Sequence, residues 1–184
     1  MSAQFPSLPD VPNLGDVFST YPETLKPIVE LLDVVMRGES PLSVGERELI
    51  GAYVSGLNAC AYCHESHTGF ARAFGVDPAV VAALLESIEE AAVDPAMKPL
   101  LQYAKVLTES PSRLSGVEAQ AVFDAGWNES ALFAVVSVCG AFNMMNRIVE
   151  GTGCAVGEGD RERWHATRLD SYVGWATQAG LLQS

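Results

Sequence analysis

Helix caps limit what this chain can fold into more than any other feature. Ser43 and Glu46 form an S-x-x-E capping box, and Ser115 with Glu118 forms a second. Asp77 and Asp94 each precede a proline, which sets a cap before a proline at the first helical position. Asn128 opens a long apolar stretch, and the GTG at 151–153 closes it. Between these marks, apolar residues recur at three- and four-residue steps, as in LKPIVELLDVV at 25–35. Strand signals are scarce. The pattern predicts a single all-α domain of about seven or eight helices. Residues 1–16, rich in proline and polar side chains, read as an extended arm. One helix is predicted from Ser43 to about Gly56. The next runs from an Asn58 cap through the cysteines to Phe74, with Gly75 as its stop. A last amphipathic helix covers 164–182. The stretches starting at Glu46 and Asn128 share an acidic start, a long apolar helix, a polar cluster and a glycine stop, the outline of an internal duplication.

The 184 residues suffice for one real core, and 48% hydrophobic with 18% charged residues is a globular composition. The formal net charge of −12 repels nucleic-acid phosphate and anionic lipid, so neither is an expected partner. The N-terminal stretch has no basic region followed by an apolar one, so no secretory signal is read there. The apolar run at 131–145 is too short to span a bilayer and contains Asn143. A cytoplasmic protein is expected. Four cysteines in a reducing compartment do not suggest a disulfide framework. A close C-x-x-C pair there suggests catalysis or metal binding.

Such a pair stands in NACAYCHESHTG at 58–69. It reads as C-x-x-C-H with His64, a haem-attachment pattern, or as C-x-x-C-x-x-x-H with His67, a thiol redox pattern. Cys60 and Cys63 are three apart, on one helix face, near enough to exchange between dithiol and disulfide. A first-turn position for Cys60 would favour its thiolate through the helix dipole. His67, four residues past Cys63, stacks on the same face and can take a thiol proton. His64 points about a quarter-turn away. On the preceding helix, Glu46 is used by the capping box. Glu48 lies beside the buried face and either orients His67 or is one more solvated charge; spacing alone does not choose.

Glu48, Cys60-Ala-Tyr-Cys63 and His67 together resemble the E-x(11)-C-x-x-C-x-x-x-H signature of the AhpD-like alkylhydroperoxidases, in the carboxymuconolactone decarboxylase superfamily. NMMNRIVEGTG at 143–153 also resembles the longer peroxidase-related members. The resemblance implies an all-helical homo-oligomer that reduces hydroperoxides, with no cofactor and no metal. Cys63 would be the peroxidatic thiol, Cys60 the resolving thiol, His67 the base and Glu48 the relay acid. A dithiol reductant would restore the pair. The dipole alone nominates Cys60 as the more acidic thiol; the His67 contact and the family pattern favour Cys63.

The first rival is a dithiol–disulfide oxidoreductase with little peroxidase activity, since the same four residues would serve both. Haem would need His64 as axial ligand and a distant second ligand such as Met97 or Met144. Zinc could take Cys60, Cys63, His67 and Glu48, but no second ligand pair matches them. Decarboxylase members of the superfamily typically lack the cysteine pair. A purely structural pair is disfavoured by its two neighbouring histidines, whereas Cys139 and Cys154 read as packing cysteines. Asn143, Asn146 and Arg147 read as a hydrogen-bonded network anchoring a neighbouring helix. Trp127, Trp164 and Trp175 read as core or subunit contacts, and His165 as surface or interface packing.

Overall fold

The computed structural model describes residues 4–182. Among them are ten α-helices and no strand. The all-α expectation holds, but the helix count exceeds the seven or eight predicted, for reasons found at both ends of the chain. At the N-terminus, the expected arm ends early. Asn13 caps α1 (Leu14–Thr20) through a capping box with Asp16. Tyr21 separates α1 from α2 (Pro22–Arg37), which starts on its proline. At the C-terminus, the single predicted helix is two, α9 (Asp160–Ala166) and α10 (Tyr172–Gln178). Apolar spacing runs through the break, but Ser171 starts α10 anew by accepting the Gly174 amide.

The middle of the chain follows its caps. Ser43 and Glu46 make the expected box on α3 (Val44–Leu57). Helix α4 (Ala61–Ala73) carries the cysteine motif, and Gly75 at φ +93 follows its end. Asp77 caps α5 (Pro78–Glu86). Asp94 caps a turn instead, and α6 (Met97–Glu109) begins just beyond it. Ser115 and Glu118 box α7 (Gly116–Asp124) after a 3-10 turn at Pro111–Arg113. Asn128 caps α8 (Glu129–Thr152), which ends on Gly153 in the left-handed region.

Helix α8 has 24 residues and is long and apolar enough to cross a membrane by length and composition, unlike the shorter run read from sequence. Its inward face, with Val135, Val138, Phe142, Met145 and Val149, instead packs on α2, α3 and α6. Helix α3 is central, buried along nearly its whole length against α4, α5, α6 and α8. The two stretches of the outlined duplication differ in their helix breaks. The first is two helices with a sharp break, the second is one continuous helix, and the two pack on each other through α3 and α8.

Candidate functional site

The break between α3 and α4 sets the cysteines in place. Asn58 is the C-cap of α3, and Ala59 follows at φ +54. The Ala59 amide donates to the Gly56 carbonyl and the Cys60 amide to the Ser55 carbonyl, both at 2.9 Å. These two bonds make a Schellman motif, with alanine where glycine is usual. Cys60 is therefore the N-cap of α4, not a first-turn residue behind an Asn58 cap. The Asn58 amide is committed elsewhere: it donates to Asn146 Oδ1 at 2.8 Å and to Asn143 Oδ1 at 3.1 Å. Asn146 in turn donates to Ser55 Oγ at 3.0 Å, and Arg147 donates to Asn143. The polar cluster of α8 is the expected anchoring network, and it grips the break that presents the cysteines.

All four cysteines are free thiols and buried. Cys60 is completely buried, while Cys63 keeps 4% exposure. A hydrogen bond from Cys63 and the Cys63 backbone amide pull the Cys60 thiol below its ordinary range against the effect of burial. The same hydrogen bond, together with burial, pushes the Cys63 thiol up. Asn146 partly offsets that rise. Of the two thiols, Cys60 is therefore the one held lower. Glu150 acts the other way and raises the Cys60 thiol.

His67 and Glu48 meet as the motif spacing allows. His67 Nδ1 lies 2.6 Å from Glu48 Oε2, and Glu48 is completely buried. Burial works against the Glu48 charge, but His67 and Arg37 outweigh it and hold the carboxyl below its ordinary value. An ionised carboxylate only accepts hydrogen bonds, so Nδ1 carries the proton and Nε2 is left as an acceptor. The ring is wedged edge-on against Phe142 and Phe70, with centroids at 4.5 and 5.3 Å. No hydrogen bond joins His67 to Cys63 among the described residues. The two side chains instead face the same cavity of about 550 Å³.

That cavity is walled mostly by apolar side chains from distant parts of the chain. Leu14 and Phe18 come from α1, Leu32 from α2, Phe142 and Met145 from α8, and Trp175 from α10. Trp164 closes one side with its ring edge-on to Tyr62, centroids 5.1 Å apart. Cys60 and Glu48 do not line it.

Two residues at the site escaped sequence reasoning. Arg37 Nη2 donates to Glu48 Oε1 at 2.5 Å, and the Tyr172 hydroxyl donates to the same oxygen at 3.3 Å. Neither stands at helical spacing from the motif. Helical spacing places His64 outside the cluster, and the structure agrees: its Nδ1 bonds the Ala52 carbonyl at 2.9 Å. Cys139 packs against Thr108 and Ala104, and Cys154 beside Thr152, as packing cysteines. Trp127 donates to the Ala96 carbonyl, Trp164 is core, and His165 sits at the surface beside Arg72.

Residues 22–106 match the model of the carboxymuconolactone decarboxylase family. No curated protein matches the chain significantly. Among solved structures, it is similar to an uncharacterized peroxidase-related protein from Silicibacter sp. TM1040, at 26% identity and a TM-score of 0.75, over 85% of this chain and 80% of that one. It is also similar to a peroxidase-related protein with an alkylhydroperoxidase AhpD core from Ralstonia eutropha JMP134. There the identity is 19% and the TM-score 0.78, over 90% of this chain and 98% of that one. A third similar structure, from Agrobacterium tumefaciens, is a protein of unknown function put forward as an antioxidant defence protein AhpD. Its identity is 20% and its TM-score 0.63, over 77% of this chain and 97% of that one. The resemblance read from the cysteine motif stands: the chain carries the carboxymuconolactone decarboxylase family match over residues 22–106, on the fold of the AhpD-like peroxidase-related proteins.

Proposed function

We propose that this protein is a thiol peroxidase that reduces organic hydroperoxides through Cys63 and Cys60. The observation that carries the reading is the shared cavity. Cys63 and His67 both face it, and the ionised Glu48 stands behind His67. Cys63 is the attacking thiol because Cys60, although more acidic, has no access to the cavity.

The pair and His67 divide the work. His67 Nε2 takes the first proton, leaving one proton shared between the two sulfurs. As Cys63 attacks the terminal peroxide oxygen, the shared proton passes to Cys60. The S–O bond forms, the O–O bond breaks, and the leaving alkoxide takes its proton from the His67 imidazolium. Cys63 is oxidised to a sulfenic acid and the peroxide is reduced to an alcohol. Cys60 then attacks the Cys63 sulfur, an S–S bond forms, and water leaves with the Cys60 proton. An external dithiol restores both thiols by exchange. The apolar cavity walls favour a peroxide carrying a bulky hydrocarbon group over hydrogen peroxide.

The rival chemistries fit the side chains less well. Zinc would need Cys60, Cys63 and His67 to converge, yet Cys60 is sealed off from the cavity that Cys63 and His67 share. Among the described residues, no three His, Cys, Asp or Glu side chains are grouped to hold a metal. Haem attachment would need both thiols within reach of the haem, yet Cys60 is completely buried and Cys63 nearly so.

Free thiols are counted before and after one equivalent of an organic hydroperoxide, with a sulfenic-acid trap in parallel. The expected result is loss of two thiols in wild type, none through Cys63 in C63S, and a trapped Cys63 sulfenic acid in C60S. Unchanged thiols in the wild type would sink the peroxidase reading, and a sulfenic acid trapped on Cys60 in C63S would reverse the two roles.

A further inference from the structure

Glu48 is completely buried and makes three hydrogen bonds, one to each of three elements. His67 on α4 takes Oε2, while Arg37 on α2 and Tyr172 at the start of α10 share Oε1. Arg37 is itself nearly buried, with 9% of its side chain exposed. Its Nε donates to the Leu169 carbonyl at 2.8 Å, and its guanidinium lies 4.9 Å from the Tyr172 ring centroid and 5.2 Å from that of Phe74. Asp33, one turn earlier on α2, accepts the Tyr172 and Val173 amides and the Ser171 hydroxyl. Helix α2 therefore does two things at once. It supplies the counter-charge to Glu48, and it clamps the segment that brings Tyr172 to the same carboxylate.

The charge count matters to the histidine. A buried carboxylate with only an imidazole beside it gains most by holding that imidazole protonated, because the ion pair is then neutral. An imidazolium has no lone pair to accept a thiol proton. A guanidinium is always charged, so Glu48 paired with Arg37 is already neutral as a unit. The imidazole can then remain uncharged and keep Nε2 as an acceptor.

The other charged groups near the pair act in the same direction or stand apart. Arg47, on α3 beside Glu48, is buried and spends its donors on the Val35, Gly38 and Ser43 carbonyls. It adds a second positive charge without bonding Glu48. Burial, the Glu48 charge and its hydrogen bond to Glu48 keep the Tyr172 phenol protonated, although the nearby Arg37 cation acts against this. Cys63 faces His67 across the cavity, and Asp33 is engaged by the amides of α10.

We propose that Arg37 is a positioning residue of this site: by neutralising the buried Glu48, it leaves His67 free as a proton acceptor, and Tyr172 holds the carboxylate in the orientation that serves both. The proposal deepens the peroxidase reading and rests on it for its purpose, but its test needs no peroxide.

The protein has three histidines, so the imidazole nitrogens can be assigned and followed by NMR as pH is varied. In R37M, the His67 midpoint is expected to rise by about one pH unit or more relative to wild type. R37K should return it close to wild type, and Y172F should move it by a smaller amount. A folded R37M with an unchanged or lowered midpoint overturns the proposal, as does an R37K that behaves like R37M. If R37M does not fold, R37Q gives the same reading, since its amide can still donate to Glu48 and the Leu169 carbonyl. Failure of Cys63 to react with hydroperoxide, with the midpoints moving as expected, would remove the peroxidase function and leave this charge balance standing.

Discussion

The ring of Phe142 on α8 fills the space above Gly51 on α3 where a Cβ would sit; three ring carbons lie within 2.8 Å of that position. The same ring meets the His67 imidazole edge-on at 4.5 Å. A glycine on one side of the phenyl thus sets the histidine on the other. Replacing Gly51 with alanine would push the ring toward His67, because a close-packed interior has no room to give. G51A is expected to lower stability by about 1–3 kcal/mol in urea denaturation. The double variant G51A/F142L should recover part of that loss, and strict additivity of the two would argue against the contact.

Ala59 carries a strained backbone at the point that presents Cys60. Its φ of +54 is the left-handed region that glycine adopts freely and alanine does not. A59G is therefore expected to raise the unfolding free energy by about 1 kcal/mol, less the extra entropy that glycine brings to the unfolded chain. Chemical denaturation reads it directly. A loss of stability would mean that the Schellman geometry is not what holds this turn.

Glu48 makes the fold sensitive to acid. Its carboxyl lies below the ordinary 4.5 in the folded protein, because His67 and Arg37 outweigh the effect of burial. Its ionised form therefore stabilises the fold fully above pH 4.5, and that contribution drains away as pH falls through the lower folded-state value. Wild-type stability should fall steeply in this acid range, while E48Q should be flatter there. At pH 7, E48Q should be less stable than wild type by about 3 kcal/mol, since Arg37 is left buried without its partner. Equal slopes for the two proteins below pH 4.5 would remove Glu48 from the account.

The cavity makes a prediction about size. Met145 lines it and is 6% exposed, with room in front of it. M145W would fill that room. Its expected effect is a drop in kcat/KM of about tenfold or more for a hydroperoxide with an aromatic or long alkyl group, with hydrogen peroxide little changed. Equal losses for both would mean that the cavity does not seat the organic group.

What could be read from the sequence was what local spacing controls. Ser43 and Glu46, Ser115 and Glu118, Asp77 and Asn128 announced their helices because a cap acts on amides two or three residues away. Cys63 and His67 share a face for the same reason. Spacing leaves Glu48 open between two roles, since only the packing of α3 on α4 turns it inward. Arg37 and Tyr172 gave no signal, because they reach Glu48 across 11 and 124 positions of chain. Asn58 misled for a different reason. An asparagine between two helices suits the end of one and the start of the other, and its side chain was claimed by Asn143 and Asn146 on a distant helix. The break before α10 was hidden by apolar periodicity that runs on through it.

Helices from both ends of the chain wall the cavity, with Leu14 and Phe18 on one side and Tyr172 and Trp175 on the other. A chain emerging from the ribosome therefore exposes its cysteine pair long before it can enclose it. Until residue 172 is out and docked on Asp33, Glu48 lacks its Tyr172 partner and Cys63 lacks a shaped entrance. The proposed reactivity toward peroxide is then a property of the finished molecule, and an unfinished one holds only two ordinary cysteines.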